Sequence, residues 1–286
     1  MPVKILADSA CDLPKSFYQE HKVVLCPLKV QINDNEYEDV KTIDSKTVFD
    51  AIRKGVVPKT SQVPPLVFEE VFTEMAKKNE EGIYIAFSSG LSGTYSTAVM
   101  ILDQVKEKYP DFQLSIVDTQ CASLGVGLIV QEAARLALDN VTKDKILEDV
   151  LFRCQHMEHI FTVEDLDYLA RGGRVSKASA FLGGLLNIKP ILNMEDGKLV
   201  PIEKIRGKKK VLHRLIDIMN ERGSKLQEQI IGISHADNEE MALEIKTMII
   251  EEFHPKNVFI SSIGSAIGSH TGPGTVSIFF LNQVQN

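Results

Sequence analysis

The segment from Ile83 to Val117 restricts the fold more than any other part of the chain. It opens with the apolar run IYIAF over Ile83–Phe87, passes through the small, polar stretch SSGLSGTY, and continues into a helical pattern over Tyr95–Lys108. Within that pattern Ala98, Ile101, Leu102 and Val105 fall on one face. Pro110 stops the helix, and Leu114–Val117 begins another strand. Strand, loop, helix and strand in this order make a βαβ unit, whose two strands lie parallel in a sheet covered by helices. An α/β fold follows.

Other runs extend the pattern. Val3–Ala7 fits a buried strand followed by the polar loop Asp8-Ser9, and Val23–Ile32 is a second extended candidate. Gly125–Asn140 and Lys143–Met157 read as helices, the first with Val126, Ile129, Val130, Ala133 and Ala137 on a broad apolar face. Thr142 is placed to cap the second, and Asp144 suits its dipole. A domain boundary is expected near residue 158, giving domains 1–158 and 159–286. In the second half, Ile191–Asn193 and Leu199–Ile205 flank Glu195-Asp196-Gly197-Lys198, an Asp-Gly turn that favours a β-hairpin. Helices over Lys209–Arg222 and Glu239–Glu252 and strands over Ile230–Ser234, Asn257–Ser262 and Thr275–Phe280 make this half mixed α/β, with no repeat of fixed period.

Composition removes several function classes. A net charge of -7 argues against a general nucleic-acid binder, which needs a basic face. The basic group Arg206, Lys208, Lys209 and Lys210 reads as a solvated turn. Cys11, Cys26, Cys121 and Cys154 form neither a CxxC pair nor a zinc-type spacing, so free thiols in a reducing compartment are expected. The opening MPVKILADSACDLP lacks the apolar run of a signal peptide, and nowhere do about 20 apolar residues run uninterrupted. A cytoplasmic setting without a transmembrane segment is the expectation. His156 and His159, read as helical with Glu158 between them, lack an HExxH pattern and are taken as solvent-facing, so no metal site is assigned.

Chemistry concentrates in four segments. Phe87–Tyr95 (FSSGLSGTY) follows a strand and opens a helix, so amides near Ser92 and Gly93 converge where a carboxylate or phosphate would be stabilised. Ordinary helix capping accounts for it equally well. Lys59–Pro64 (KTSQVP) is polar and turn-like; Thr60 or Ser61 either begins the next helix or faces the same crevice. Arg171-Gly172-Gly173-Arg174 sets guanidinium groups beside permissive backbone. Ser269–Thr275 (SHTGPGT) holds His270 in what reads as a tight loop, as a packing residue or as a donor to an anion. No Walker sequence is present, no G-x-G-x-x-G follows the first strand, and Gly90–Thr94 lacks the last glycine of a nucleophile elbow. The apolar stretch AFLGGLL at 180–186 suits either core packing or the lining of a channel.

In order along the chain, ILADSACDLP, KTSQVPP, FSSGLSGTY, LDYLARGGRVSKASAFLGGLLNIKPIL and IGSHTGPGT resemble the DegV family over essentially its whole length. The resemblance implies a two-domain α/β fold, a parallel-sheet first domain and a mixed α/β second domain, with a long-chain fatty acid held between them. It further implies a lipid-binding protein, not an enzyme by itself, that presents the fatty-acid carboxylate to a separate ATP-binding fatty acid kinase subunit for acyl phosphate formation and phospholipid synthesis. By residue match Thr60, Ser61, Ser92, Gly93 and His270 would meet the carboxylate. Arg174 would face the partner or phosphoryl-transfer surface, and Phe181, Leu182, Leu185 and Leu186 would line the tail channel. No cofactor is implied beyond the bound fatty acid. Two other functions fit the same crevice: a self-contained small-molecule phosphotransferase or hydrolase, and a lipid sensor or transport protein.

Overall fold

In strand β1 (Lys4–Asp8) every residue after Lys4 is buried. Burial on both faces requires helices on both sides of the sheet, the usual setting of parallel strands. The computed structural model describes residues 2–175 and 188–285 and has this arrangement. After β1 come helix α1 (Lys15–Glu20), β2 (Val24–Cys26), β3 (Lys29–Ile32), β4 (Asn35–Glu38), α2 (Ser45–Arg53), β5 (Lys59–Ser61) and α3 (Pro65–Lys77). The first half continues with β6 (Gly82–Ala86), α4 (Thr94–Lys108), β7 (Leu114–Asp118), α5 (Leu124–Leu138) and α6 (Lys143–His156). Strands β2, β1, β6 and β7 form, in that order, an all-parallel sheet. Its alternating side chains feed two cores. Leu6, Tyr84 and Ala86 pack with Phe68, Phe72 and Ile101 of α3 and α4. Ile5, Ala7, Ile83 and Ile85 pack with Ile129, Val130 and Ile146 of α5 and α6.

The second half supplies β8 (Met157–Thr162), α7 (Asp167–Gly172), β9 (Ile188–Glu195), β10 (Lys198–Arg206), α8 (Lys208–Arg222), β11 (Ile230–His235), α9 (Glu239–Phe253), β12 (Asn257–Ser262), α10 (Ser265–Thr271) and β13 (Val276–Leu281). Its sheet runs β10-β9-β8-β13-β11-β12, with β11 and β12 parallel and the other pairs antiparallel. One face carries Ile160, Ile233 and Ile278 into a core with Leu215 of α8 and Ile245 of α9. The opposite face turns Phe161, Leu192 and Phe279 toward the first half, where they join its cores. The fold is thus the expected two-domain α/β architecture, a parallel sheet beside a mixed one.

Several elements differ from the sequence reading. Val23–Ile32 is two strands, not one. The chain breaks after Cys26, where Pro27 has no amide to donate and the Leu28 amide turns to Ser9 Oγ at 3.0 Å. The second piece, β3, pairs antiparallel with β4 and β5 in a small separate sheet. The reading of Lys59–Pro64 as a turn is likewise corrected, because Lys59–Ser61 is strand β5 and Pro64, not Thr60 or Ser61, holds the N-cap position of α3. Helix α6 ends at His156 and passes directly into β8, which places His159 in a buried strand rather than on a solvated helix face. Thr142 occupies the N-cap position of α6 without a side-chain capping bond. The Asp-Gly hairpin forms as expected, with Asp196 at φ 48° and Gly197 at φ 73°. Phe181, Leu182, Leu185 and Leu186 lie outside the described residues.

Candidate functional site

Parallel strands deliver their following loops to one edge of the sheet, and ligands of open α/β sheets collect there. The loops after β6 and β7 reach that edge with Phe87, Leu91, Ala122 and Ser123. They meet β5, helices α7 and α10, and the inward face of the six-stranded sheet around a cavity. Its empty space, open mouth included, is about 980 Å³. Most of the wall is apolar, including Phe87, Leu91, Phe161, Leu199, Ile263 and Phe279.

Of the polar groups in the wall, one set gathers residues far apart in sequence. Thr60 and His270 meet through Oγ1 and Nε2 at 2.6 Å. The extended backbone of β5 presents Thr60, held in register opposite Val30 of β3. His270 does not sit in a loop, as its glycine-rich surroundings suggested, but in the last turn of α10. The chain turns only afterwards, at Gly272 with φ 71°. Burial, with the Arg174 guanidinium as a second cause, pushes the His270 pKa down to about 4, so the ring is neutral near pH 7.

The start of α4 stands beside this pair. Its N-cap residue is Gly93, which has no side chain to cap the helix. Ser92 Oγ accepts the Thr94 amide at 3.2 Å and shares a hydrogen bond with Thr94 Oγ1 at 2.9 Å. The Thr94 hydroxyl also accepts the Val63 amide at 3.3 Å, and Gln62 Nε2 donates to Thr97 Oγ1 at 2.6 Å. These bonds tie the segment after β5 to the first turns of α4. Gly93 lets the Gln62 side-chain amide lie close against it, where a Cβ would push that amide aside. Arg174 completes the group. Among the described residues its hydrogen bonds go to carbonyls, from Nε to Leu91 at 3.3 Å and from Nη1 to Gly172 at 2.5 Å.

Thr60, Ser61, Ser92, Gly93, Arg174 and His270 therefore all line one cavity. Ser61 is exposed, and Arg174 is half-buried, lining both this cavity and a second hollow that shares Thr60 and His270 with it. Gln62, Ser123 and His159 line the same cavity, although the sequence marks Gln62 only as part of the KTSQVP segment, His159 as solvent-facing, and Ser123 not at all. His159 is a satisfied neutral histidine: Nε2 accepts the Ala122 amide at 3.1 Å, which leaves Nδ1 to donate to Met157 O at 3.2 Å. Burial holds its pKa near 4.

Three buried carboxyls frame the site. Asp8 accepts from the Phe87 amide and the Tyr84 hydroxyl, both at 2.9 Å, and so fixes the end of β6. Asp12 accepts from Ser123 Oγ and from the Gly264 amide. Asp39 accepts from the Ser265 and Ala266 amides. Burial raises all three pKa values, to about 6 for Asp8 and about 8 for Asp12. Asp8 and Asp12 stood in a polar turn after an apolar strand, a weak signal; Asp39 offered none.

Among the described residues there is no cluster of three or more His, Cys, Asp or Glu side chains able to hold a metal. Nor is any described helix long and apolar enough to cross a membrane.

Comparison with known proteins finds relatives along nearly the whole chain. A DegV domain-containing protein of Clostridium perfringens is 41% identical over 98% of both chains. A fatty acid-binding protein of Thermotoga maritima is 34% identical over 96% of both. Among solved structures, the fatty-acid-binding DegV family protein of Thermus thermophilus superposes with a TM-score of 0.90 at 28% identity, covering 98% of this chain and 99% of that one. The model of the family described as "Uncharacterised protein, DegV family" matches residues 2–283, and the chain belongs to the DegV family.

Proposed function

We propose that this protein binds a long-chain fatty acid in the cavity and presents its carboxylate to a separate ATP-dependent kinase subunit, which forms the acyl phosphate. The observation that carries the proposal is the division of the cavity wall. Apolar side chains cover most of it, while Thr60, Ser92, Arg174 and His270 collect in one region. A ligand matching such a wall has a hydrocarbon body and one anionic end. Fatty acids are what the Thermotoga maritima and Thermus thermophilus relatives bind, by their own descriptions.

The energetics suit a reversible carrier. Burying an acyl tail of about 14 methylenes contributes up to roughly 11 kcal/mol, at ~0.8 kcal/mol each, before ordering costs. A carboxylate buried without partners would offset much of that gain. Here hydroxyls, a neutral imidazole and a guanidinium with no carboxylate partner among the described residues stand ready to receive it. In the reaction proposed, one carboxylate oxygen attacks the γ-phosphorus of ATP on the partner and ADP leaves. Arg174, which lines both the cavity and the adjoining hollow, offsets the developing charge. The two domains are taken as residues 1–158 and 159–286, with the ligand at their junction. The setting proposed is the cytoplasm, where ATP and free thiols coexist.

Mass spectrometry of small molecules extracted from the purified protein is expected to yield a long-chain fatty acid near one per chain. Adding a fatty acid kinase subunit and ATP should then consume that acid. Absence of lipid overturns the binding role. Turnover of ATP or an ester by the isolated chain, or bound lipid that no kinase can phosphorylate, overturns the presenting role.

A further inference from the structure

We infer that Asp12 and Asp39, two buried carboxyls of the first domain, are positioning residues that aim His270 at the ligand's head group, resting on the reading of Thr60 and His270 as its anchor. Helix α10 spans Ser265–Thr271, seven residues. A helix this short has little stability of its own, so its placement is set by what holds its ends. At the N-terminal end the N-cap is Gly264, with no side chain to accept an amide. The acceptors come instead from the other domain. The Gly264 amide donates to Asp12 Oδ1 at 2.8 Å, the Ser265 amide to Asp39 Oδ1 at 3.1 Å, and the Ala266 amide to Asp39 Oδ2 at 3.3 Å. Asp39 is 1% exposed and Asp12 3%, so water does not compete for these amides.

Asp12 joins further parts of the junction. Its Oδ2 accepts from Ser123, on the cavity wall, and its carbonyl accepts from Ser261 Oγ at 2.6 Å. The middle of α10 rests on Phe49 of α2, so closely that a Cβ on Gly268 would stand 2.7 Å from the ring. With the start and middle of the helix seated, its far end delivers His270 to Thr60. The lever is short but effective. Gly264 to His270 is six residues, about 9 Å of helix, so a tilt of roughly 10° moves the imidazole by about 1.5 Å. That displacement breaks a 2.6 Å hydrogen bond.

The test uses the full chain and two perturbations from opposite sides of the contact. Asp39→Asn places an amide NH2 where one backbone N–H now donates. Gly264→Ala, at φ -70° and so without backbone strain, sets a Cβ 2.8 Å from Asp12 Oδ1 and displaces that carboxyl with no change of charge. Ile249→Val, on the buried face of α9 and in a core cluster that contains none of the cavity-lining residues, serves as the stability control. The readouts are the His270 ring resonances by 15N-histidine NMR, assigned against His270→Ala, and palmitate affinity by equilibrium dialysis. Both site variants should shift the ring resonances, move the His270 titration up toward its ordinary value, and weaken palmitate binding about tenfold, the loss of one hydrogen bond to a charged group. Ile249→Val should lower the melting temperature and move neither readout. If the site variants melt earlier yet keep the wild-type His270 signal, the positioning role is overturned. Should Asp39→Asn fail to fold, Gly264→Ala alone decides. A wild-type protein that binds no palmitate would sink the functional proposal, while the ring resonances would still judge the positioning.

Discussion

Replacing Thr60 with Val tests the head-group contacts with little change of shape. The hydroxyl lies 2.6 Å from His270 Nε2, on the cavity wall. With the ring neutral, only one of its nitrogens carries a proton. When that nitrogen is Nε2, it donates to Thr60 Oγ1 and frees the hydroxyl hydrogen for a carboxylate. A valine methyl removes both bonds at once. A hydrogen bond to a charged group contributes about 1.5–3 kcal/mol. At 1.4 kcal/mol per tenfold, the acid should bind roughly 10- to 150-fold more weakly. The tail contacts are the same in both proteins. The methyl ester of the same acid, lacking the charge, should therefore weaken far less. Equilibrium dialysis of radiolabelled palmitate, with methyl palmitate as competitor, measures both affinities. Equal weakening of acid and ester, or no change in either, would refute the assignment of Thr60 to the head group.

Two further expectations concern stability. The unfolded chain binds the His159 proton near pH 6.5, whereas burial lowers the folded value to about 4, so the stability this residue contributes should be lost as pH falls through that window. The depression corresponds to about 3 kcal/mol. In urea unfolding between pH 7 and 4.5, His270 acts in the same direction and the raised carboxyls Asp8, Asp12 and Asp39 act against it, so His159→Gln should lose less stability, or gain more, than wild type as pH falls; a pH dependence equal to wild type counts against the account. Gly197 holds φ 73°, its carbonyl accepts Ser88 Oγ at 2.7 Å, and a Cβ would stand 2.6 Å from that hydroxyl. Gly197→Ala should cost about 1–2 kcal/mol in thermal unfolding, from backbone strain and the lost bond between the hairpin and the β6 loop. A melting temperature unchanged from wild type would contradict that reading.

Local signals carried the regular elements a long way. The βαβ unit at Ile83–Val117, the hairpin at Asp196-Gly197 and the helices α4, α5, α8 and α9 were legible because each depends on neighbours in sequence. Periodicity places a face, proline stops a helix, and Asp-Gly supplies the positive φ of a tight turn. The candidate site was legible only as separate segments of small, polar and glycine-rich residues. Their mutual distances, and therefore which hydroxyl meets His270, are products of the fold.

What tertiary structure alone decided has a common physical origin. Helix α10 is too short to show a period, and its N-terminal amides are satisfied by Asp12 and Asp39 from more than 200 residues away. His159 looks like any polar residue until β8 enters the sheet, where the Ala122 amide and the Met157 carbonyl make burial tolerable. The break after Cys26 depends on Ser9 taking the Leu28 amide across the domain. Sequence by itself determined which segments can be strand or helix and where anions would be welcome, because those properties are local. Burial, pairing and protonation belong to contacts between segments, and only the assembled fold supplies them.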